Sequence, residues 1–315
     1  MNRPPILADL GRLLEEPLAD ALSPRYGKLE ISLLSHTSMV ADGTTVLLLR
    51  DSAGQRRAVA ICSAPAAPDM VRRAMNRARE AKAILGASVG APILDPLAEG
   101  SVEGLSYAVL PYCKKLSEFR AVWWPQRALL RPLILDWLAR VTECTTRGAE
   151  PAITHRDFAE RLQRMASLKP LSEGLRAAAK WSAARLDDGA WTPRHVLMHG
   201  DLWKGNILIR PANGVAEQWR WRERFVIIDW GGWEIHGYPI YDLVRLAQSI
   251  RLPARGLRSE VYRHCQLLGC EPADAKSNLL AALGHIHLNL EHLPFGRFAH
   301  IADNTLTTLE RALAS

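Results

Sequence analysis

His195–Ile209, HVLMHGDLWKGNILI, and Phe225–Gly232, FVIIDWGG, decide how this chain folds. Each holds a short apolar run bounded by turn formers and rich in β-branched residues, Asn206–Ile209 in the first and Phe225–Ile228 in the second. Such runs read as the buried strands of a hairpin. Polar groups gather at their mouths: Asp201 and Asn206 stand just before the first strand, and Asp229 closes the second. A carboxamide and a carboxylate there can hold Mg²⁺, which is usually bound by one or two carboxylates together with substrate phosphates. Asp201 is then left to accept a proton. Read instead as an ordinary turn between core strands, the same Asp and Asn would only cap backbone groups. Their order, spacing and position at predicted strand ends weigh against that reading, because a motif gains weight from its context.

The pattern His-x-Asp, an Asn five residues after the Asp, then an apolar strand ending in Asp-x-Gly resembles the catalytic core of the protein-kinase-like superfamily. His199-Gly-Asp201, Asp229-Trp230 and Pro239-Ile-Tyr-Asp-Leu243 resemble its small-molecule branch: aminoglycoside phosphotransferases, choline kinases and fructosamine kinases. The resemblance implies an α+β, bilobal protein-kinase-like fold, with an N-lobe antiparallel sheet carrying one major helix and a mainly helical C-lobe. It implies ATP and Mg²⁺ as cofactors, Asp201 as catalytic base toward a substrate hydroxyl, and Asn206 and Asp229 as metal ligands. His199 and Asp242 would be structural, Asp242 bracing the loop from the next helix. Gly200 stands where protein kinases carry the Arg of His-Arg-Asp, so regulation by a phosphate at that Arg is not expected.

Composition agrees with a globular chain. Its 315 residues are 48% hydrophobic and 23% charged, enough for two lobes and a sizeable core. The N-terminal MNRPPILADLGRLLEEPLADAL lacks the continuous apolar run of a secretory signal, and no stretch reaches the roughly 18 apolar residues of a membrane span. A cytoplasmic location is expected. Cys62, Cys113, Cys144, Cys265 and Cys270 follow no metal or disulfide spacing and read as reduced thiols. The net charge of +7 comes largely from arginines spread over helices. The densest cluster, Gln218–Arg224, alternates aromatics with arginines. It can stack bases, but alternation is also what a half-buried strand requires, so no nucleic-acid partner is expected.

Along the chain, residues 7–22 have helical spacing broken by Pro17. Leu29–Leu34, Thr44–Arg50 and Arg57–Cys62 read as strands, joined by turns at Ala41–Gly43 and Asp51–Gly54. A helix over 69–86 follows, with Asp69 as N-cap and Gly86 as its end. Ala91–Leu94 and Ser106–Leu110 complete the sheet. Pro111, Tyr112 and Cys113 then fall where a kinase hinge would present backbone groups to adenine. The expected division is residues 1–112 as N-lobe and 113–315 as C-lobe, with nucleotide in the cleft. Helical periodicity covers 125–147, 155–186, 241–251, 257–268, 273–293 and 303–314.

The pattern also departs from the family. The third-strand lysine that holds nucleotide phosphates is matched by Cys62, which would leave its helix partner Glu80 without a cation. In place of a glycine-rich loop stand Ser35, Thr37 and Ser38, which can serve phosphates or simply form a turn. Lys204, within the catalytic loop, can offset charge on a transferred phosphoryl group or be a solvated lysine. The substrate is expected against the residues after Asp229: Trp230, Trp233, Glu234, His236 and Tyr238. The two tryptophans can equally be core packing. The implied activity is Mg²⁺-dependent transfer of the ATP γ-phosphoryl to a hydroxyl of a small molecule, such as a sugar, nucleoside or similar metabolite. The basic balance disfavours polycationic acceptors. The alternative, motivated by Cys62, is an inactive pseudokinase that binds a ligand or a partner protein.

Overall fold

The computed structural model describes residues 13–14, 17–18, 22, 24–36, 44–117, 119–147, 150–212, 220–290 and 294–315. Thr37 and Ser38, the turn at Ala41–Gly43, and Gln218 with Trp219 lie outside them. The chain is α+β and forms two compact units. Met1–Ala83, Ala91–Lys115 and Leu208–Gly231 make the first, and Ile84–Gly90, Leu116–Ile207 and Gly232–Ser315 make the second.

In the first unit, β1 (Leu29–His36), β2 (Thr45–Asp51), β3 (Arg56–Cys62), β4 (Ala98–Val102) and β5 (Leu105–Pro111) form an antiparallel sheet in the order β1-β2-β3-β5-β4. Asp51 builds the β2–β3 turn: Oδ1 accepts from the Ala53 and Gln55 amides at 3.0 and 2.8 Å, and Oδ2 accepts from Arg57 at 2.7 Å. Side chains alternate across a strand. Leu47, Leu49, Ala58, Ala60, Cys62, Tyr107 and Val109 therefore share one face, which packs with Leu14, Leu18 and Leu22. The opposite face meets helix α1 (Met70–Val89): Ser63 Oγ accepts from the Val71 amide at 3.0 Å and Ser106 Oγ from the Arg72 amide at 3.2 Å.

Several expectations change here. Helical backbone breaks at Gly86 (φ 69°, ψ 177°) as expected, but a further turn follows it to Val89. Ala91–Leu94 is not a strand of the sheet; Ile93 makes only an isolated parallel bridge to Ile227. Pro92 and Pro96 remove ladder donors on either side of it. The edge position belongs to Ala98–Val102, where Gly100 lies under the Tyr107 ring: a Cβ there would sit 2.7 Å from the phenol oxygen. The hairpin strands Ile207–Ile209 and Phe225–Ile227 are neighbours in a three-stranded sheet, with Lys114–Lys115 on the other side of the first. Trp221–Arg224 is a helical turn instead of the expected strand edge, with the Arg224 guanidinium 5.0 Å from the Trp221 ring centroid. Its Nε donates to the Arg210 carbonyl, closing the hairpin from the side.

The second unit is mainly helical: α2 (Arg120–Thr145), α3 (Pro151–Ser167), α4 (Glu173–Asp187), α5 (Tyr241–Ser249), α6 (Ala254–Leu268), α7 (Asp274–Leu288) and α8 (Phe295–Leu313). The periodic stretch 155–186 is two helices. A residue before proline avoids the helical region, so Lys169-Pro170 breaks the run, and Ser172 restarts it by accepting from the Leu175 amide. Between α4 and α5, Val196–Met198 pairs antiparallel with Glu234–Gly237. Only a glycine fits at 237, because a Cβ would come within 2.3 Å of the Met198 Cβ. Among the described residues no helix is long and apolar enough to cross a membrane.

Candidate active site

The loop between Val196–Met198 and Ile207–Ile209 is held from below by one buried carboxylate. Asp242, in the first turn of α5, accepts from the His199 amide through Oδ2 at 2.6 Å and from the Gly200 amide through Oδ1 at 3.1 Å. Burial pushes the Asp242 carboxyl up, against the lowering effect of His199 and the two amides. Ile240, just before that helix, has a φ of 73°, a left-handed conformation that is strained for a β-branched residue. His199 is itself buried, and its Nδ1 accepts from the Asp201 amide at 3.3 Å. Gly200 has a φ of 83°, and a Cβ there would meet the Gly232 carbonyl at 3.2 Å. That conformation explains locally why no Arg stands at this position.

On this frame Asp201 reaches solvent. Its Oδ2 accepts from Asn206 Nδ2 at 3.1 Å and Trp203 Nε1 at 3.2 Å, and Arg245 Nη2 stands 3.9 Å from Oδ1. Asn206 also donates to the Asp201 main-chain carbonyl at 2.9 Å, which turns its carboxamide oxygen away from Asp201. Lys204 is tied by its amide to Ser249 Oγ at 2.9 Å, and its ammonium lies 5.7 Å from the Trp123 ring centroid on α2.

The remaining candidates separate. In the first unit Asp229 is exposed at the end of its strand and has a φ of 68°, so its carboxylate is displayed by a left-handed residue. Trp230 is buried and donates to the Ile227 carbonyl at 2.9 Å. Ser35 is exposed on β1, beyond a register slip that follows Leu33. Pro111 has no N–H, and the Tyr112 amide donates to the Arg57 carbonyl at 3.0 Å, so an amide donor for adenine from this stretch has to come from Cys113. Glu80 is exposed on α1, whose buried face carries Val71, Ala78, Ala81, Leu85 and Val89.

Cys62 needs a correction. It lies in the apolar cluster on the sheet face away from α1, and burial pushes its thiol up to about 12. Because Ser63 and Ser106 face α1, the helix-facing positions beside Cys62 are Ile61 and Ser63, and neither is a cation.

In the second unit Trp233 and Tyr238 are buried. Tyr238 belongs to a ring cluster with Phe158, His195 and His285, at centroid distances of 4.8, 5.6 and 5.3 Å. Of the expected acceptor contacts in this unit only His236 is exposed, with Glu234 half-buried.

The family model of the phosphotransferase enzyme family (APH) matches residues 40–276. The chain belongs to that family. No curated protein sequence matches it. Among solved structures, the GDP complex of a mutant aminoglycoside 2′-phosphotransferase-IIIa superposes with a TM-score of 0.50 at 15% identity, covering 96% of this chain and 97% of that one. A putative fructosamine-3-kinase from Haemophilus somnus 129PT has a TM-score of 0.49 at 11% identity, with coverages of 94% and 96%. An ethanolamine kinase from Plasmodium vivax has a TM-score of 0.49 at 13% identity, with coverages of 98% and 90%. Within the phosphotransferase family fold, sequence reasoning missed Arg245 and Trp203 beside Asp201 and Trp123 beside Lys204. Trp203 lies inside the decisive motif and was open to being singled out. Arg245 and Trp123 reach the loop from α5 and α2, a proximity that no local pattern encodes.

Proposed function

We propose that this phosphotransferase-family chain moves the γ-phosphoryl group of ATP to a hydroxyl of a small molecule in a Mg²⁺-dependent reaction. The observation that carries the reading is the Asp201 carboxylate: solvent-facing, fixed by Asn206 and Trp203, and set on a loop anchored by buried Asp242. In the proposed step the acceptor oxygen attacks the γ-phosphorus and the bond to the β,γ-bridging oxygen breaks. ADP leaves, and the hydroxyl proton passes to Asp201. Asn206 and Asp229 suit the metal: one carboxamide oxygen turned away from Asp201 and one exposed carboxylate are hard donors, and Mg²⁺ takes its other ligands from phosphates and water. Among the described residues no group of three or more His, Cys, Asp or Glu side chains could hold a metal. When bound, Mg²⁺ neutralises charge on the transferring phosphate. In this reading residues 1–112 serve the nucleotide and 113–315 the catalytic loop and acceptor. ATP as donor and free cysteines suit a reducing cytoplasm.

A second reading rests on β3. With Ile61 and Ser63 facing α1, Cys62 in the core and Glu80 in solvent, the phosphate-holding ion pair is missing, as in a pseudokinase that binds a ligand or partner without turnover. The experiment is ATP titration with and without Mg²⁺, followed by slow ATP hydrolysis on wild type and Asp201→Asn. Metal-dependent binding with hydrolysis lost in the variant supports the enzyme. Metal-independent binding with no turnover supports the pseudokinase.

A further inference from the structure

On the loop that carries Asp201 and at the start of α2, the second unit leaves large aromatic surface in water. Trp203 is 39% exposed, Trp124 61% and Phe119 75%, and Trp123 lies between the last two in sequence. Exposed apolar surface, where it is contiguous, marks a binding site more often than chance. Two features tie it to the reacting carboxylate. The Trp203 indole is pinned, because its N–H bonds Asp201 Oδ2 at 3.2 Å and its ring lies over Gly205, where a Cβ would come within 2.4 Å of it. Lys204, the next residue, lays its ammonium on Trp123. A ring stacked on either indole, about 3.5–4 Å away at contact distance, lies beside the loop that carries Asp201.

The charges narrow the ligand further. The Arg127 guanidinium lies 5.9 Å from the Trp123 centroid and 5.2 Å from that of Trp124. Lys204 lies against the same Trp123 ring, and Arg245 stands 3.9 Å from the Asp201 carboxylate, so both the indole and the carboxylate have cations beside them. An acceptor bearing ammonium groups would have to displace or oppose them, whereas a neutral or anionic ring gains both stacking and charge.

We propose that Trp203 and Trp123 form a stacking platform for the acceptor, and that the acceptor is an aromatic alcohol, neutral or anionic, whose hydroxyl reaches Asp201. This rests on the phosphotransferase reading above. It makes Trp203 and Trp123 specificity residues, and it separates this chain's acceptor from polyammonium sugars.

The test uses the full chain, Mg²⁺-ATP and matched acceptor pairs that differ in the ring: phenyl against methyl β-glucoside, adenosine against methyl riboside, benzyl alcohol against cyclohexylmethanol. Choline and kanamycin serve as cationic members. The expected result is a preference of about tenfold or more in kcat/KM for the aromatic partner. Trp123→Leu and Trp203→Leu should each raise its KM about tenfold, and Trp203→Phe should restore most of the loss. Trp181, an exposed indole on α4 stacked by Arg185 and Lys276, is the control, and Trp181→Leu should leave KM where it was. Equal or better transfer to the non-aromatic or cationic members overturns the platform, as does unchanged KM in both leucine variants. If Mg²⁺-dependent ATP hydrolysis is present but no aromatic acceptor receives phosphate, the platform fails and the phosphotransferase reading stands. If hydrolysis and Mg²⁺-dependent binding are both absent, the two fail together.

Discussion

The Asn206 carboxamide donates to both the main-chain oxygen of Asp201, at 2.9 Å, and its Oδ2, at 3.1 Å. One side chain thus fixes the backbone and the carboxylate of its neighbour, so the two residues act as a unit. Asp201→Asn should lower kcat for phosphoryl transfer by about 10²–10⁴-fold, the usual weight of a positioned base. Its melting temperature should stay near wild type, because the Asp201 side chain is half exposed. Asn206→Ala should lose comparable activity and also raise the Mg²⁺ concentration needed for half-maximal rate. Retention of more than a tenth of wild-type kcat in Asp201→Asn would remove it from the role of base.

Asp242 contributes mainly to stability. Replacing it with Ala leaves the buried His199 amide and the half-buried Gly200 amide without their acceptor, at a cost of about 2–4 kcal/mol. Asp242→Asn keeps one acceptor oxygen and should cost less. Urea denaturation of both variants checks this, and an Ala variant as stable as wild type would mean that water replaces the carboxylate.

How far the sequence carries depends on what each signal encodes. The runs ending at Ile209 and at Asp229 are short, apolar and punctuated, and they are neighbouring strands. Polar Ala98–Val102 gives no such signal, because an edge strand with exposed Glu99, Gly100 and Ser101 needs no hydrophobic alternation. An apolar strand does not by itself show which way Cys62 faces, since a slip of one exchanges the two faces, and its side chain lies in the cluster away from α1. Burial of Trp230, Trp233 and Tyr238 is set by elements distant in sequence, as the contact of Tyr238 with Phe158 illustrates. Asp201, Asn206 and Asp242, by contrast, could be picked out because their spacing is itself the motif.

The orientation of β3 gives a paired test. Cys62→Lys would place an amine in the cluster formed by Leu14, Leu18, Leu22 and Tyr107, and should destabilise by about 3 kcal/mol or more. Ile61→Lys, on the half-buried opposite face, should cost much less. If the missing lysine limits activity, only Ile61→Lys should tighten Mg²⁺-ATP binding. Thermal melts and nucleotide titration of the two variants read both effects, and the reverse stability order would refute the assigned facing.

Gly284 on α7 lies against α3, where an added Cβ would come within 2.4 Å of the Arg161 carbonyl oxygen. A backbone atom cannot move aside as a side-chain tip can, so Gly284→Ala should cost about 1–3 kcal/mol by forcing the helices apart. Gly174, at the start of α4 with nothing near its Cβ position, supplies the comparison, and Gly174→Ala should be neutral or slightly stabilising. Similar melting temperatures for the two variants would contradict the close approach.

His264 provides a pH dependence with a defined sign. Its ring is buried, Nδ1 pairs with Thr142 Oγ1 at 3.0 Å, and burial, helped by Arg263, lowers its pKa to about 4. Below about pH 6.5 an unfolded histidine takes up a proton that the folded one refuses. Stability from this group is therefore complete above about 6.5, falls as pH drops toward about 4, and levels off below that. The loss approaches about 3 kcal/mol, an upper bound given by the difference between the two pKa values. His264→Gln keeps a polar partner for Thr142 and cannot titrate, so the wild-type-minus-variant stability should decline with acid over that window. His195, His285 and His287 also have lowered pKa values and remain in both proteins, so their contribution cancels in the difference. Urea denaturation at half-unit steps from pH 7.5 to 4 measures it, and a difference that is flat or rises with acid would show that His264 is charged in the folded protein.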